Sequence, residues 1–457
     1  MNKLALLLVF FFSLAHAKIT LPHLFSDHMV LQQNSTVRIW GTADPHEPVA
    51  LTTGWDKKTY TTKGDSYAKW SLEIKTPSYG GPYTLTLKGY NTIEINDVMV
   101  GEVWIGSGQS NMEMTPAWGI ENGPEEIAQA HAPHIRFFKL EKSTAPFPQI
   151  SAQSAWQSVT PEVMKNNSAL GYFFSQRLSK ELQGVPVGFI VSAWGGSPAE
   201  VWIPEEEFSE NKLAQSELEK LETSDAWPSK AGAAYNAMVH PLLPYGFHGV
   251  LWYQGESNTG SQSYANTLET LIRSWRKQAG REFPFYVVQI APYNYGAQYD
   301  GGARIRDAQR RILSVAHTGM VVTSDLSTTD DIHPKQKKQL GERMADLVLS
   351  KRFARLDLVA EGPLLKGAVV RGRKMVLSFH NSQGMYVKGG TRSPLFELAG
   401  EDGVFHPAQG VVRNGTIEVY SNAVKIPQRV RYAWKNTDQA DVFNSAGIPM
   451  STFTTEY

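Results

Sequence analysis

About a hundred residues into this chain the hydrophobic period changes. From there to about residue 353, short apolar runs alternate with helical stripes. The runs are "EVWIGSG", "VGFIVSAWGG", "GVLWYQGESN", "FYVVQIAPY" and "MVVTSDL", each long enough for a buried strand. Between them, "YANTLETLIRSWRKQAG" places Leu268, Leu271, Ile272 and Trp275 on one helical face, and Gly280 stands where a helix C′ glycine belongs. Ser168 and Gly184 bracket another helix, with Leu170, Phe174, Leu178 and Leu182 on one side. Continuous apolar strands alternating with helices predict an α/β domain at 98–353, built on a parallel sheet with helices on both faces.

The flanks read differently. Between about Val37 and Ile95 the pattern alternates: Trp70, Leu72 and Ile74 share a face, as do Tyr83, Leu85 and Leu87, with Gly80-Gly81-Pro82 as the punctuating turn. After Leu356 alternation returns, with Ile417 and Val419 following the Asn414-Gly415 hairpin signal and then Val430, Tyr432 and Trp434. The expected organisation is therefore a leader at 1–17, a β-rich segment at 18–97, the α/β domain at 98–353 and a second β-rich segment at 354–457. Without its leader the first segment is short for a stable sandwich, so the two flanks are expected to pack as accessory β structure.

The leader rests on Lys3, an apolar run and Ala15-His16-Ala17, the pattern of a signal-peptidase site. The run is too short to span a bilayer, which takes about 20 residues. An exported, bacterial periplasmic or extracellular chain with no membrane span is the expectation. The sequence has no cysteine, so its stability must come from its core rather than from disulfides. Lysine plus arginine and aspartate plus glutamate both number 44, which gives no electrostatic case for a nucleic-acid partner. The 12 tryptophans and 18 tyrosines include faces suited to stacking on sugars, although most large aromatics are core.

Ligands of open α/β sheets sit beyond the carboxyl ends of the strands. Beyond "EVWI" lies Gly106-Ser107-Gly108-Gln109-Ser110-Asn111; beyond "FIVSAW", Gly195-Gly196 and then Ser197-Pro198-Ala199-Glu200, with capping-box spacing. Beyond "VLWY" lies Gln254-Gly255-Glu256-Ser257-Asn258, and beyond "MVVTSDL" a polar loop ending "DDIHP". A hydroxyl, glycine amides, side-chain amides, carboxylates and an imidazole are the inventory of a serine hydrolase. Each has an ordinary alternative. Ser110 taken alone reads as an N-cap, the glycines as a tight turn, and Asp330 and Asp331 as solvated acids. Pro334 opens the helical pattern "PKQKKQLGERMADLVLS", whose Leu340, Met344, Leu347 and Val348 point inward, and it holds His333 extended at the helix entrance. In a helical turn Asp330, at i−3, faces His333; an extended turn would favour Asp331. "DDIH" as a metal site lacks partners at ligand spacing, so no metal or cofactor is expected.

"GSGQSNM", "WGGSPAEVW", "NAMVHPLLPYGFHGVLWYQGESN" and "DDIHPKQKKQLGERMA" together resemble the sialate O-acetylesterase family of the SGNH hydrolase superfamily. The resemblance runs from about Leu24 to about Ser350. The elbow G-x-S-x-G of α/β-hydrolases is absent, since Met112 stands where its second glycine would be. The resemblance implies a Ser110–His333–Asp330 triad that acts through an acyl-serine without a cofactor. It implies oxyanion donors from Ser110, from Gly195 or Gly196, and from an amide side chain of the third block, with Gln254 and Asn258 both open. It also implies O-acetylated sialic acid as substrate, with acetyl xylan or another acetylated glycan as the alternative and a non-catalytic carbohydrate-binding protein as a further one. A sialic acid carries a carboxylate, which asks for a cation; Arg304 and Arg306 are the candidates.

Overall fold

The computed structural model describes residues 18–296 and 300–457, so the expected leader lies outside the described residues. The central sheet runs in the order Thr318–Val321, Phe285–Val288, Gly249–Tyr253, Thr92–Gly108, Val187–Ala193, Ala132–Lys139, Trp156–Val159. All neighbours are parallel except the last pair. Helices cover both faces, as the continuous apolar strands predict. Trp104 aligns with Gly249 in the register, so Trp252, three residues on, points to the opposite face. Trp104 meets Phe174 of the helix Ala169–Glu181 at 5.6 Å, and Trp252 meets Trp275 of the helix Tyr264–Ala279 at 6.1 Å. That second helix stops where expected, with Gly280 left-handed at φ +64°.

Two helix starts differ from expectation. The last helix of the domain begins at Lys337, not Pro334, because three residues of irregular chain carry it away from His333. No capping box forms at Ser197: its hydroxyl donates to the Trp194 carbonyl, while Glu200 turns inward to Asn258 and a short 3₁₀ turn, Ala199–Trp202, follows.

The boundary expected at residue 97 falls inside the strand Thr92–Gly108, which is 17 residues long. Its first half pairs with Gly80–Lys88 and Val30–Gln32, and its second half is the middle of the central sheet. The N-terminal β segment thus continues into the α/β domain, and their apolar residues form one core. The C-terminal segment folds into its own seven-stranded sheet with a separate core. Asn414 and Gly415, both at positive φ, turn its hairpin as expected. Among the described residues no strand of one flank pairs with a strand of the other.

Candidate active site

Ser110 leaves the sheet two residues after the central strand. Gly108 makes that exit possible: its φ is +127°, and a Cβ there would lie 2.2 Å from the Tyr253 carbonyl oxygen, so only glycine fits. Ser110 is the first residue of a four-residue helix, Ser110–Glu113, and the capping position falls to Gln109. The serine hydroxyl is therefore not occupied in capping. It faces His333, whose Nε2 lies 2.9 Å from Oγ.

His333 is half-buried. Burial and the nearby Lys337 charge hold its imidazole below the ordinary value, with Asp331 opposing the shift. A lowered histidine stays neutral near pH 7, the form that can take a proton. The edge of Trp118, half exposed, closes one side of the ring at 6.2 Å.

The carboxylate beside the imidazole is Asp331, not the expected Asp330. Asp331 Oδ1 accepts the His333 backbone N–H at 2.9 Å and lies 3.8 Å from Nδ1. Asp330 is exposed, and its hydrogen bond to Thr328 holds its carboxyl below the usual range. The physical reason is the turn: the chain bends here without forming a helix, and the His333 amide's hydrogen bond to Asp331 brings the i−2 side chain back to the ring.

The expected oxyanion donors are only partly available. The Gly195 amide donates to Glu113 Oε2 at 3.0 Å, and the other oxygen of that buried carboxylate pairs with Lys142 at 2.7 Å. Gln254 is committed as well: its amide donates to Asn258 Oδ1 and the Ser197 carbonyl, and its oxygen accepts from Tyr264. The Asn258 amide is held by both oxygens of Glu200, at 3.0 and 2.9 Å. These two amides lock the third loop to the second rather than facing Ser110. The backbone amides of Ser110 and Gly196 have no hydrogen-bond acceptor among the described residues.

Neither arginine stands among these groups. Arg306 is fully buried, and its guanidinium donates to Thr452 Oγ1 and to the carbonyls of Ala433, Lys435 and Asn436. It ties the α/β domain to the C-terminal sheet. Arg304 pairs with Asp300 at 2.8 Å and lines a small crevice with Trp434 and Tyr457. Both sit on the helix Gly301–Arg311, whose amphipathic stripe could not tell an inter-sheet anchor from a ligand contact.

A cavity of about 440 Å³ opens beside the second loop, lined by Gly196, Lys220, Thr223, Trp227 and Ser257 among others. The Trp227 ring lies where a Cβ on Gly196 would fall, 2.3 Å from the nearest ring atom, and it remains partly exposed. Gly195 in turn borders the nucleophile, since a Cβ there would lie 3.3 Å from Ser110 Cβ. Among the described residues no three histidine, aspartate or glutamate side chains are grouped to hold a metal ion.

Residues 100–350 match the family described as "Carbohydrate esterase, sialic acid-specific acetylesterase". The chain belongs to this family. It is accordingly a carboxylic-ester hydrolase of the sialate O-acetylesterase type. A sialate O-acetylesterase of Homo sapiens is 29% identical over 418 residues, covering 82% of this chain and 78% of that one. The Pongo abelii enzyme of the same name gives the same identity and coverage. The crystal structure of a novel carbohydrate acetylesterase from Xanthomonas citri superposes with a TM-score of 0.87 at 34% identity, covering 96% of this chain and 100% of that one. Among the described residues no helix is long and apolar enough to cross a membrane.

Proposed function

We propose that this esterase removes O-acetyl groups from sialic acids by an acyl-serine mechanism of the SGNH type. The 2.9 Å approach of His333 Nε2 to Ser110 Oγ carries the reading. With Asp331 favouring a proton on Nδ1, Nε2 accepts the Ser110 proton as Oγ attacks the acetyl carbonyl. The carbonyl oxygen becomes an oxyanion, for which the Ser110 and Gly196 amides are the donors. The tetrahedral intermediate collapses, the sugar oxygen leaves with the proton from His333, and acetyl-Ser110 remains. Water, deprotonated by His333, then attacks this ester and releases acetate and free Ser110.

The cavity beside Gly196 is the place for the sugar. Trp227 offers an indole for its CH face, and the exposed Lys220, paired with Glu217 at 2.8 Å, is the cation a carboxylate would have to share. An acetylated neutral glycan, such as xylan, is the second reading. It is favoured by Arg304 and Arg306 being engaged elsewhere and by Lys220 already pairing with Glu217 at 2.8 Å. Release of acetate from O-acetyl sialic acid compared with acetylated xylan, by the same preparation, separates the two. We also propose export through the 1–17 leader; fractionation of expressing cells checks it, and cytoplasmic retention of the full chain would contradict it.

A further inference from the structure

Directly behind the nucleophile lies a buried polar chain that the mechanism above does not use. Asn111, the residue after Ser110, donates through Nδ2 to Glu256 Oε1 at 2.6 Å and to the Ile332 carbonyl at 3.0 Å. Its Oδ1 accepts from Lys337 Nζ at 2.7 Å. All three side chains are buried. They come from three separate strand ends: the Ser110 turn, the loop after Gly249–Tyr253, and the helix entrance after His333. The Asn111 side chain bonds to the other two segments at once, and the carbonyl it holds is that of the residue immediately before His333.

Stability alone is a poor reason for this arrangement. Burying a carboxylate and an amine costs more than their attraction returns unless every polar atom is satisfied, and Glu256 Oε2 has no hydrogen-bond partner among the described residues. Replacement by apolar side chains of similar volume would hold a core together at least as well. What apolar side chains would not supply is a directional link from the nucleophile turn to the histidine loop.

We propose that Asn111, Glu256 and Lys337 are positioning residues: Asn111 fixes the His333 loop against the Ser110 turn, and Lys337 and Glu256 hold Asn111 in the orientation that does so. Lys337 has a second effect, through its charge. Burial pulls its amine down to about 7 and pushes Glu256 up to about 7, yet the lysine still acts on His333 to disfavour the imidazolium. The groups around the imidazole are the Ser110 hydroxyl, the Trp118 edge, Asp331 and Lys337. Lys335 lies beyond Asp331, at 3.8 Å, and Asp330 is turned to Thr328. Of the two charged groups nearest the ring, Asp331 raises the histidine and Lys337 lowers it.

The inference rests on the Ser110–His333 reading and is tested with a small aryl acetate as well as an acetylated sugar. Lys337→Met removes the amine and keeps the length of the side chain. It should lower kcat by about 10- to 100-fold, the scale of an ångström's misplacement at a reacting centre, with KM changed less than twofold. It should also move the acid limb of the kcat/KM profile to higher pH, because the charge opposing the imidazolium is gone. Asn111→Ala keeps the lysine and should lower kcat on the same scale, and it carries the test alone if Lys337→Met does not fold. Unchanged kcat in a folded Asn111→Ala or Lys337→Met protein would overturn the proposal, as would a kcat loss in Lys337→Met with the acid limb unmoved. Activity surviving in Ser110→Ala would instead overturn the reading on which it rests.

Discussion

His333 Nε2 and Ser110 Oγ lie 2.9 Å apart although 223 positions separate them in the chain. The strand that precedes Ser110 is in the middle of the sheet, and the strand that precedes His333 is at its edge, three places away. At about 4.8 Å per neighbour the gap is roughly 14 Å. The irregular chain from Val322 to His333 is long enough to return across it. Sheet order thus dictates that the histidine arrives on a long loop, and a long loop needs something to hold its end.

The acid of the triad is the first point on which the structure and the sequence spacing give different expectations. Asp331→Asn should lower kcat by at least about tenfold, with the roughly 10⁴-fold loss of a fully engaged triad aspartate as the ceiling. Asp330→Asn should leave kcat within about twofold, as for most exposed positions. Steady-state kinetics of the two variants decide it, and greater sensitivity at Asp330 would contradict the assignment.

Acid sensitivity follows from the His333 shift. The imidazole sits below the ordinary 6.5, and only its neutral form accepts the serine proton. Activity should therefore persist as pH falls through 6.5 and be lost below it, where His333 protonates. A kcat/KM profile on a small ester checks this, and an acid limb above the ordinary value would contradict it.

Arg306 should matter for stability and not for substrate. Arg306→Met leaves the carbonyls of Ala433, Lys435 and Asn436 without their shared donor. A loss of about 3 kcal/mol is expected from the charge-assisted hydrogen bonds given up, because the Asn436 carbonyl keeps the Tyr293 amide and the Ala433 carbonyl keeps the Thr452 hydroxyl. Thermal unfolding should show a lowered Tm while KM for O-acetyl sialic acid stays unchanged. A raised KM at unchanged Tm would return Arg306 to the substrate.

The Gly196 cavity makes a charge-specific prediction. Trp227→Ala should raise KM for any acetylated sugar about five- to tenfold, the worth of one aromatic stack, and leave a small aryl acetate unaffected. Lys220→Gln should raise KM about two- to fivefold for O-acetyl sialic acid, the scale of an exposed ion pair, and hardly at all for a neutral acetylated sugar. Equal effects of Lys220→Gln on both sugars would remove the lysine as the carboxylate's partner.

What could be read from the sequence follows from the range of the interactions involved. Period and punctuation are local, so the helix ending at Gly280, the Asn414-Gly415 hairpin and the strand-end placement of Ser110 are legible. Asp331 stood as the alternative to the favoured Asp330, because backbone conformation in a long polar loop is not encoded in spacing. Gln254 and Asn258 were candidates because a side-chain amide in that block has the right chemistry; their partners, Tyr264 and Glu200, become visible only once the loops are folded together. Lys337 did leave a signal. It stands three residues before Leu340 and seven before Met344 on the inward stripe, so a lysine at that position is a buried charge awaiting a partner.

Ser110 as the nucleophile of an acetylesterase acting on sialic acid is open to one decisive experiment. The most direct measurement is acetate released from O-acetyl sialic acid by the wild-type protein and by Ser110→Ala, with circular dichroism to verify that both are folded. Steady release by the wild type and none above background by the variant are expected, because the change removes one oxygen beyond the central strand and nothing from the core. Comparable release by a folded Ser110→Ala protein, or none from O-acetyl sialic acid by a wild type that hydrolyses other acetyl esters, would contradict it.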